Sequence, residues 1–451
     1  MTQLLEKIRA HRRAHPRQPR RKLTPPERHQ ERVRFWTMFA IGLVVVLGAY
    51  FWLTSARILG KPFEFPYSPA DAAFAETAGP LLSAEFVGGN SVRTLVNGDE
   101  FFPVMLKAIR EAKKTITFET YIWSSGKISD EFIAALSERA RAGVKVHVLA
   151  DGMGILKFKH SDMDIMKNAG VEFVAYGREH WYEIKPNINH RTHRKLLLID
   201  GTVGFTGGMC VDDRWLGHAD SPQVWRETVV RIEGPVVRQM QAVFSSNWLQ
   251  TTQRLLVGPD YFPVGGAVGD ARVQCFKSGP DENPEAARIS YLLAIASARK
   301  SIRIAHAYFV PDDLATDMIL AARKRGVEVQ VIIPAINDSR FGRAASRSRW
   351  GRLLDAGVEF YRYEPAMYHC KVMIVDDAFA TIGSVNFDNR SFAINDEVNV
   401  NILDRGVAAD QLRVFRDDLK HSEPLTAKEF ESRPVWQKAV DEFCGMFRSQ
   451  L

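Results

Sequence analysis

The sequence predicts an α/β fold: two similar sandwich halves with mixed sheets, sharing one site and preceded by a single N-terminal membrane-spanning helix. Three observations carry this. A motif of the form H-x-K-x4-D occurs twice, as His193 to Asp200 and His369 to Asp376. Blocks of sequence around each copy echo one another. Upstream of both, the 22 residues Phe35 to Ala56 carry no charge.

The N-terminus sets the charge of the whole chain. Residues 1–34 hold eleven Lys and Arg against three Glu, with Pro16, Pro19, Pro25 and Pro26, and read as a disordered basic tail. The rest carries 49 basic and 50 acidic residues, so the formal +7 describes the tail and not the body. The body therefore lacks the electrostatic footprint of a nucleic-acid binder, and no nucleic-acid partner is expected. Residues 35–56 would span about 33 Å as a helix, enough for a bilayer. Phe35-Trp36 and Tyr50-Phe51-Trp52 place aromatics near both ends, and the basic tail predicts a cytoplasmic N-terminus with the body on the far side. Residues 57–90 read as a linker, 91–255 and 270–425 as the two halves, and 426–451 as a C-terminal helical segment.

The halves repeat in detail. Arg141-Ala142-Gly143-Val144-Lys145-Val146 is echoed by Lys324-Arg325-Gly326-Val327-Glu328-Val329, and Ala169-Gly170-Val171-Glu172-Phe173 by Ala356-Gly357-Val358-Glu359-Phe360. Each half alternates helix and strand three times before its motif, the pattern of an α/β fold with a mixed sheet. A helix near 131–142 stopped by Gly143, then a strand over Val144–Leu149, is one such step.

Each motif lies on an apolar run that ends in turn residues and is followed by a second apolar run, which predicts a hairpin. On a strand, residues i and i+2 share a face. His193 therefore points with Lys195 and His369 with Lys371, while Arg194 and Cys370 point the other way. The returning strand brings Gly207-Gly208, or Gly383-Ser384, beside the histidine. Asp200 and Asp376 have the opposite parity and sit a strand's length away, so they read as structural turn residues. Two histidines suit a two-step displacement at phosphorus. One attacks while neutral, the other supplies a proton, and a phosphohistidine divides one difficult substitution into two. Lys195 and Lys371 can neutralise the phosphoryl oxygens, with Ser384 and Asn386 as further donors. No metal or cofactor is needed, and Cys210, Cys275, Cys370 and Cys444 form neither a disulfide framework nor a metal pattern. Arg340, Arg343, Arg347, Arg349 and Arg352 fall on an expected helix, as a solvated face or, alternatively, a contact for anionic headgroups. His180-Trp181-Tyr182 lies in a long connection before the first motif, as a packed loop or, alternatively, a lipid contact.

Over roughly residues 90–425 the chain resembles the phospholipase D superfamily and, within it, bacterial cardiolipin synthases. The stretch Gly383-Ser384-Val385-Asn386-Phe387-Asp388-Asn389-Arg390-Ser391-Phe392, followed by Asn395 and Glu397, carries most of this. Tyr121-Ile122-Trp123, Tyr308-Phe309-Val310-Pro311 and Trp225-Arg226-Glu227 add to it. The resemblance implies that His193 or His369 is the nucleophile, with His193 favoured, and that Glu227 and Glu397 hydrogen-bond the motif histidines. It also implies transfer of a phosphatidyl group between two phosphatidylglycerols at the bacterial inner membrane, on its periplasmic face, giving cardiolipin and glycerol. Its partners would be anionic phospholipids. Hydrolysis to phosphatidic acid is the first alternative and nucleic-acid cleavage the second. Two positions depart from the pattern: Gly208 where many relatives carry Ser, and Cys210 where the family usually has Asn.

Overall fold

The computed structural model describes residues 24–54, 60–177 and 189–447. They form two compact units, one N-terminal to Ala56 and one from Arg57 onward.

In the first unit a helix covers Pro25–Thr54. Phe35, Trp36, Phe39, Ile41 and Val45 are exposed along it. Among the described residues, no helix is long and apolar enough to cross a membrane. No side chain is described from residue 49 to 59, so the stretch 35–56 lies only in part within the described residues. The basic tail to residue 23 and His180-Trp181-Tyr182 lie outside them.

The second unit is built on one continuous fifteen-stranded sheet, where the sequence suggested a sheet in each half. From the outer edge, the first half contributes Glu172–Tyr176, Lys145–Asp151, Thr115–Thr120, Leu196–Ile199, Val203–Gly207, Thr228–Glu233 and Val87–Val96. The second half repeats this order with Glu359–Tyr363, Glu328–Pro334, Ser301–His306, Lys371–Val375, Phe379–Gly383, Glu397–Leu403 and Ala271–Ser278, and adds Ser422–Leu425 outside. The three outer strands of each repeat run parallel and the rest antiparallel, a mixed sheet as expected. The halves join where Val87–Val96 pairs antiparallel with Ala271–Ser278, across a register shift between Val87 and Asn90.

The repeated Gly-Val steps end helices. Gly143 and Gly326 take φ of +90° and +88°, a conformation that costs glycine nothing, and their N–H groups close the preceding helix on Ala140 and Arg323. The first of these helices covers Lys127–Arg141 and the strand after it Lys145–Asp151. Each motif strand is buried on both faces, so side-chain parity decides its partners. Leu197 and Ile199 join the core with Phe118 and Phe132, whereas Leu196 and Leu198 meet Met240, Phe244 and Trp248 of the helix Val237–Thr252. Met373 and Val375 divide from Val372 and Ile374 in the same way.

One boundary needs correction. The stretch 57–90 is not a linker throughout, because it contains the helix Ala72–Leu81 and the start of the central strand at Val87. Phe74, Ala75 and Ala78 are buried in the core of the second half, with Phe74 packed edge-on to Phe379 at 5.6 Å. These few apolar residues dock on the distant half of the chain, so no local periodicity marks them as core. The arginine row also resolves. Arg347 pairs with Asp441, Arg349 with Asp313 and Arg352 with Asp317, leaving Arg340 and Arg343 exposed.

Candidate active site

The two motif histidines meet at the junction of the halves because each enters on a short parallel pairing with the other half. The His193 N–H donates to the Asp396 carbonyl at 2.8 Å, beside a parallel bridge between Thr192 and Asp396. The His369 N–H donates to the Arg226 carbonyl at 2.8 Å, where Met367–Tyr368 pairs parallel with Trp225–Arg226.

This arrangement crosses the carboxylates. His193 Nδ1 lies 2.9 and 3.0 Å from the oxygens of Glu397, in the opposite half, and His369 Nδ1 lies 2.7 Å from Glu227 Oε2. A carboxylate at Nδ1 takes that nitrogen's proton into a hydrogen bond and leaves the Nε2 lone pair free. Both glutamates are fully buried.

The two His–Glu pairs are not alike in charge. Ser384 Oγ donates to Glu397 Oε2 at 2.5 Å. Against the upward push of burial, His193, Lys195 and Ser384 hold the Glu397 carboxyl below the usual range. Burial lowers His193 to about 4 in spite of Glu397. In the other pair, burial raises Glu227 to about 7 in spite of Lys371. His369 is pushed well below its ordinary value by burial and by the neighbouring Lys371. The first pair thus favours a neutral imidazole on a carboxylate, whereas in the second burial favours the protonated form of Glu227.

Gly208 stands where the second half has Ser384. A Cβ there would lie 2.4 Å from Glu227 Oε2 as it now stands, so Glu227 fills space that Ser384 occupies beside Glu397 in the other half. Gly208→Ser is expected to set a hydroxyl on Glu227 as Ser384 does on Glu397, favouring the ionised carboxylate and moving the alkaline limb of the pH–rate profile to lower pH. Steady-state kinetics at unchanged melting temperature will check this. Gly207 and Gly383 are equally confined, each against the neighbouring strand's backbone.

Lys195 and Lys371 are buried. Lys195 Nζ donates to the His193 carbonyl at 2.6 Å and lies over the Tyr121 ring, and burial lowers it to about 8. Lys371 Nζ donates to the His369 carbonyl at 2.7 Å and stands 3.2 Å from both ring nitrogens. Both imidazoles and the Lys195 ammonium open on one cavity of about 390 Å³, with Lys371 behind the His369 ring. Asn386 lines it with its Oδ1 unpartnered among the described residues. Cys210 lines it too, its sulfur accepting from the Ile122 N–H at 3.5 Å. Cys370 points away, toward Thr228.

The aspartates stand apart. Asp200 accepts from the N–H groups of Lys113, Lys114 and Thr115 at 2.7 to 2.9 Å, and Asp376 accepts likewise from Arg299, Lys300 and Ser301. Each pins its hairpin turn to the start of a neighbouring strand. Asp200→Asn is expected to cost roughly 1–3 kcal/mol of stability by weakening these charge-assisted bonds. The folded protein should keep its turnover, to be checked by denaturant titration alongside activity.

The sequence pointed to neither Trp215 nor Arg214. Trp215 and Trp225 set their rings 5.4 and 4.9 Å from His369, and Arg214 lies over Trp225 while paired with Asp212. A lone Trp in a single turn of 3-10 helix offers no periodicity to mark it.

A family model described as cardiolipin synthase, PLD-like domain, matches residues 105–248 and again 291–419. Cardiolipin synthase 2 of Bacillus cereus is 36% identical over 351 residues, 77% of this chain and 68% of that protein. Cardiolipin synthase 1 of Bacillus anthracis is 34% identical over 408 residues, 88% of this chain and 80% of that protein. Among solved structures, the phosphatidylserine synthase of Haemophilus influenzae Rd KW20 shares the fold. Its TM-score is 0.60 at 14% identity, over 84% of this chain and 100% of that one.

Proposed function

This chain belongs to the cardiolipin synthase family of phospholipase D-like enzymes and is a cardiolipin synthase, and we propose that it works through a phosphohistidine on His193. What supports this division of labour is the unlike setting of the two carboxylates: Glu397 accepts from Ser384 Oγ, whereas Glu227 faces Gly208 and is pushed by burial toward its protonated form. His193 Nε2 attacks the phosphorus of one phosphatidylglycerol. The bond to the glycerol headgroup breaks, and the His369–Glu227 pair gives the departing oxygen its proton. The terminal hydroxyl of a second phosphatidylglycerol then attacks the phosphohistidine, returning its proton to His369 as the P–N bond breaks. Cardiolipin and glycerol are the products. Lys195 and Lys371 meet the charge that spreads over the phosphoryl oxygens.

The pH dependence follows. As pH falls through about 4, His193 protonates and loses its lone pair. As pH rises through about 7, the Glu227–His369 pair loses the proton that the leaving oxygen needs. The kcat/KM profile is therefore expected to be a bell with limbs near these values.

The reaction is tested by mass spectrometry of lipids after the enzyme is incubated with phosphatidylglycerol alone, beside a His193→Ala control. Cardiolipin with glycerol, absent from the control, supports transfer, whereas phosphatidic acid alone would make the chain a hydrolase. The body is proposed to be anchored by residues 35–56 to the bacterial inner membrane, with the tail cytoplasmic and the catalytic unit on the outer face. The uncharged stretch, its terminal aromatics and the basic tail support this.

A further inference from the structure

We propose that the C-terminal helix Val435–Gly445, with the short helix it packs on, is a docking surface for an anionic lipid bilayer beside the mouth of the active-site cavity. The inference deepens the reading above, since it supplies the face through which that site meets its lipid.

The helix is mounted inside out. A helix on a globular body ordinarily turns its apolar stripe inward and its charges to water. Here Asp441 is buried and gripped by Arg347 at 2.7 Å and Arg433 at 2.5 Å. Cys444 packs on Ala344 and Ala345, and Gly445 fits where a Cβ would lie 2.6 Å from Ser348 Oγ. With the polar anchor facing inward, the outward face carries Val435 at 83% exposure, Trp436 at 70%, Met446 at 66%, Phe443 at 50% and Val440 at 45%, with Glu442 as its exposed acid. The patch continues through Phe447, whose ring lies 5.4 Å from Phe443 and 6.3 Å from the exposed Phe341. A contiguous apolar surface of this kind marks an interaction site.

Charge and position select the occupant. Phe341 belongs to the helix Arg340–Arg347, where Arg340 and Arg343 are exposed and have no ion pair among the described residues. Bulky apolar side chains with a Trp, bordered by unpaired arginines, suit an interfacial helix on anionic lipid. A second copy seated symmetrically on the patch would bring its own arginines against these. Ser339 and Gly342, at the start of the same helix, line the cavity. In the first half, the connection after Lys145–Asp151 is the counterpart of the one that precedes Arg340. It exposes Met153 and Leu156 beside Lys157 and Lys159, and braces Trp123 through the Gly154 carbonyl at 3.2 Å.

The test uses the full chain carrying Ala439→Cys, on the outward face, labelled with an environment-sensitive fluorophore; the four native cysteines are buried. In proteoliposomes of phosphatidylglycerol and phosphatidylcholine, the label is expected to shift to the blue and to be quenched by nitroxide-bearing lipids. In phosphatidylcholine alone the quenching should be several-fold weaker. No quenching in anionic vesicles would overturn the proposal. Label-to-label cross-linking without quenching would overturn it as well, and assign the face to a second copy. The double variant Trp436→Ser, Phe443→Ser should lose at least tenfold more turnover on vesicles than on short-chain phosphatidylglycerol dispersed in water. An equal loss on both would count against docking. The quenching is read without turnover, so a chain that is quenched but makes no cardiolipin keeps the surface and loses the reaction assigned above.

Discussion

Given a phosphatidyl ester of p-nitrophenol, the His369→Asn variant is expected to release about one equivalent of nitrophenolate per chain and then stall, while His193→Asn releases none. Nitrophenolate leaves without a proton, so the first step needs only the nucleophile. His193, with Nδ1 on Glu397 and a neutral ring above about pH 4, is equipped for that. The second step needs a base for the incoming hydroxyl, and His369→Asn has removed it. The stalled chain should carry the phosphatidyl group on His193, visible by intact-protein mass spectrometry. With phosphatidylglycerol itself, glycerol cannot depart unprotonated, and both variants should fall by about 10⁴-fold or more. A burst from His193→Asn instead would exchange the two roles, and a burst from neither would remove the covalent intermediate.

The second large effect lies in the crossed carboxylates. Glu397→Gln is expected to lower kcat by about 10²- to 10⁴-fold, because an amide cannot neutralise the positive charge that grows on His193 as it bonds to phosphorus. Glu227→Gln should act on the other histidine and leave a different trace. It removes the group that titrates near 7, so the alkaline limb of kcat/KM moves toward the value near 8 set by Lys195. Paired pH profiles of the two variants check this. An unmoved alkaline limb in Glu227→Gln would show that the proton is held elsewhere.

Much of this site could be read before the fold was seen, because strand parity is local. His193 and Lys195 share a face, Arg194 turns to the carbonyl of Val243 on the opposite side, and Asp200 is a turn residue holding three N–H groups. The crossing of Glu227 and Glu397 could not be read. It depends on two very short parallel pairings, one of two residues and one a single bridge, and nothing in a run so short states its partner. The same holds for Phe74, which is apolar in its own segment yet belongs to the core of the second half. It also holds for Asp441, whose burial against Arg347 reverses the usual reading of an amphipathic helix. Periodicity reports which side chains share a face but not what that face meets.

The crossing has a historical consequence. Each histidine takes its carboxylate from the opposite repeat, so neither half holds a complete His–Glu pair. An ancestral half could have worked only as a homodimer, with a twofold axis running through the cavity and an identical pair on either side. Such a dimer can tell attacking group from proton donor only by which way the substrate happens to lie. Fusion into one chain lifts that constraint. Gly208 could diverge from Ser384 and Cys210 from Asn386, and the broken symmetry lets the two His–Glu pairs differ before any lipid arrives, as the proposed division into attack and proton delivery requires.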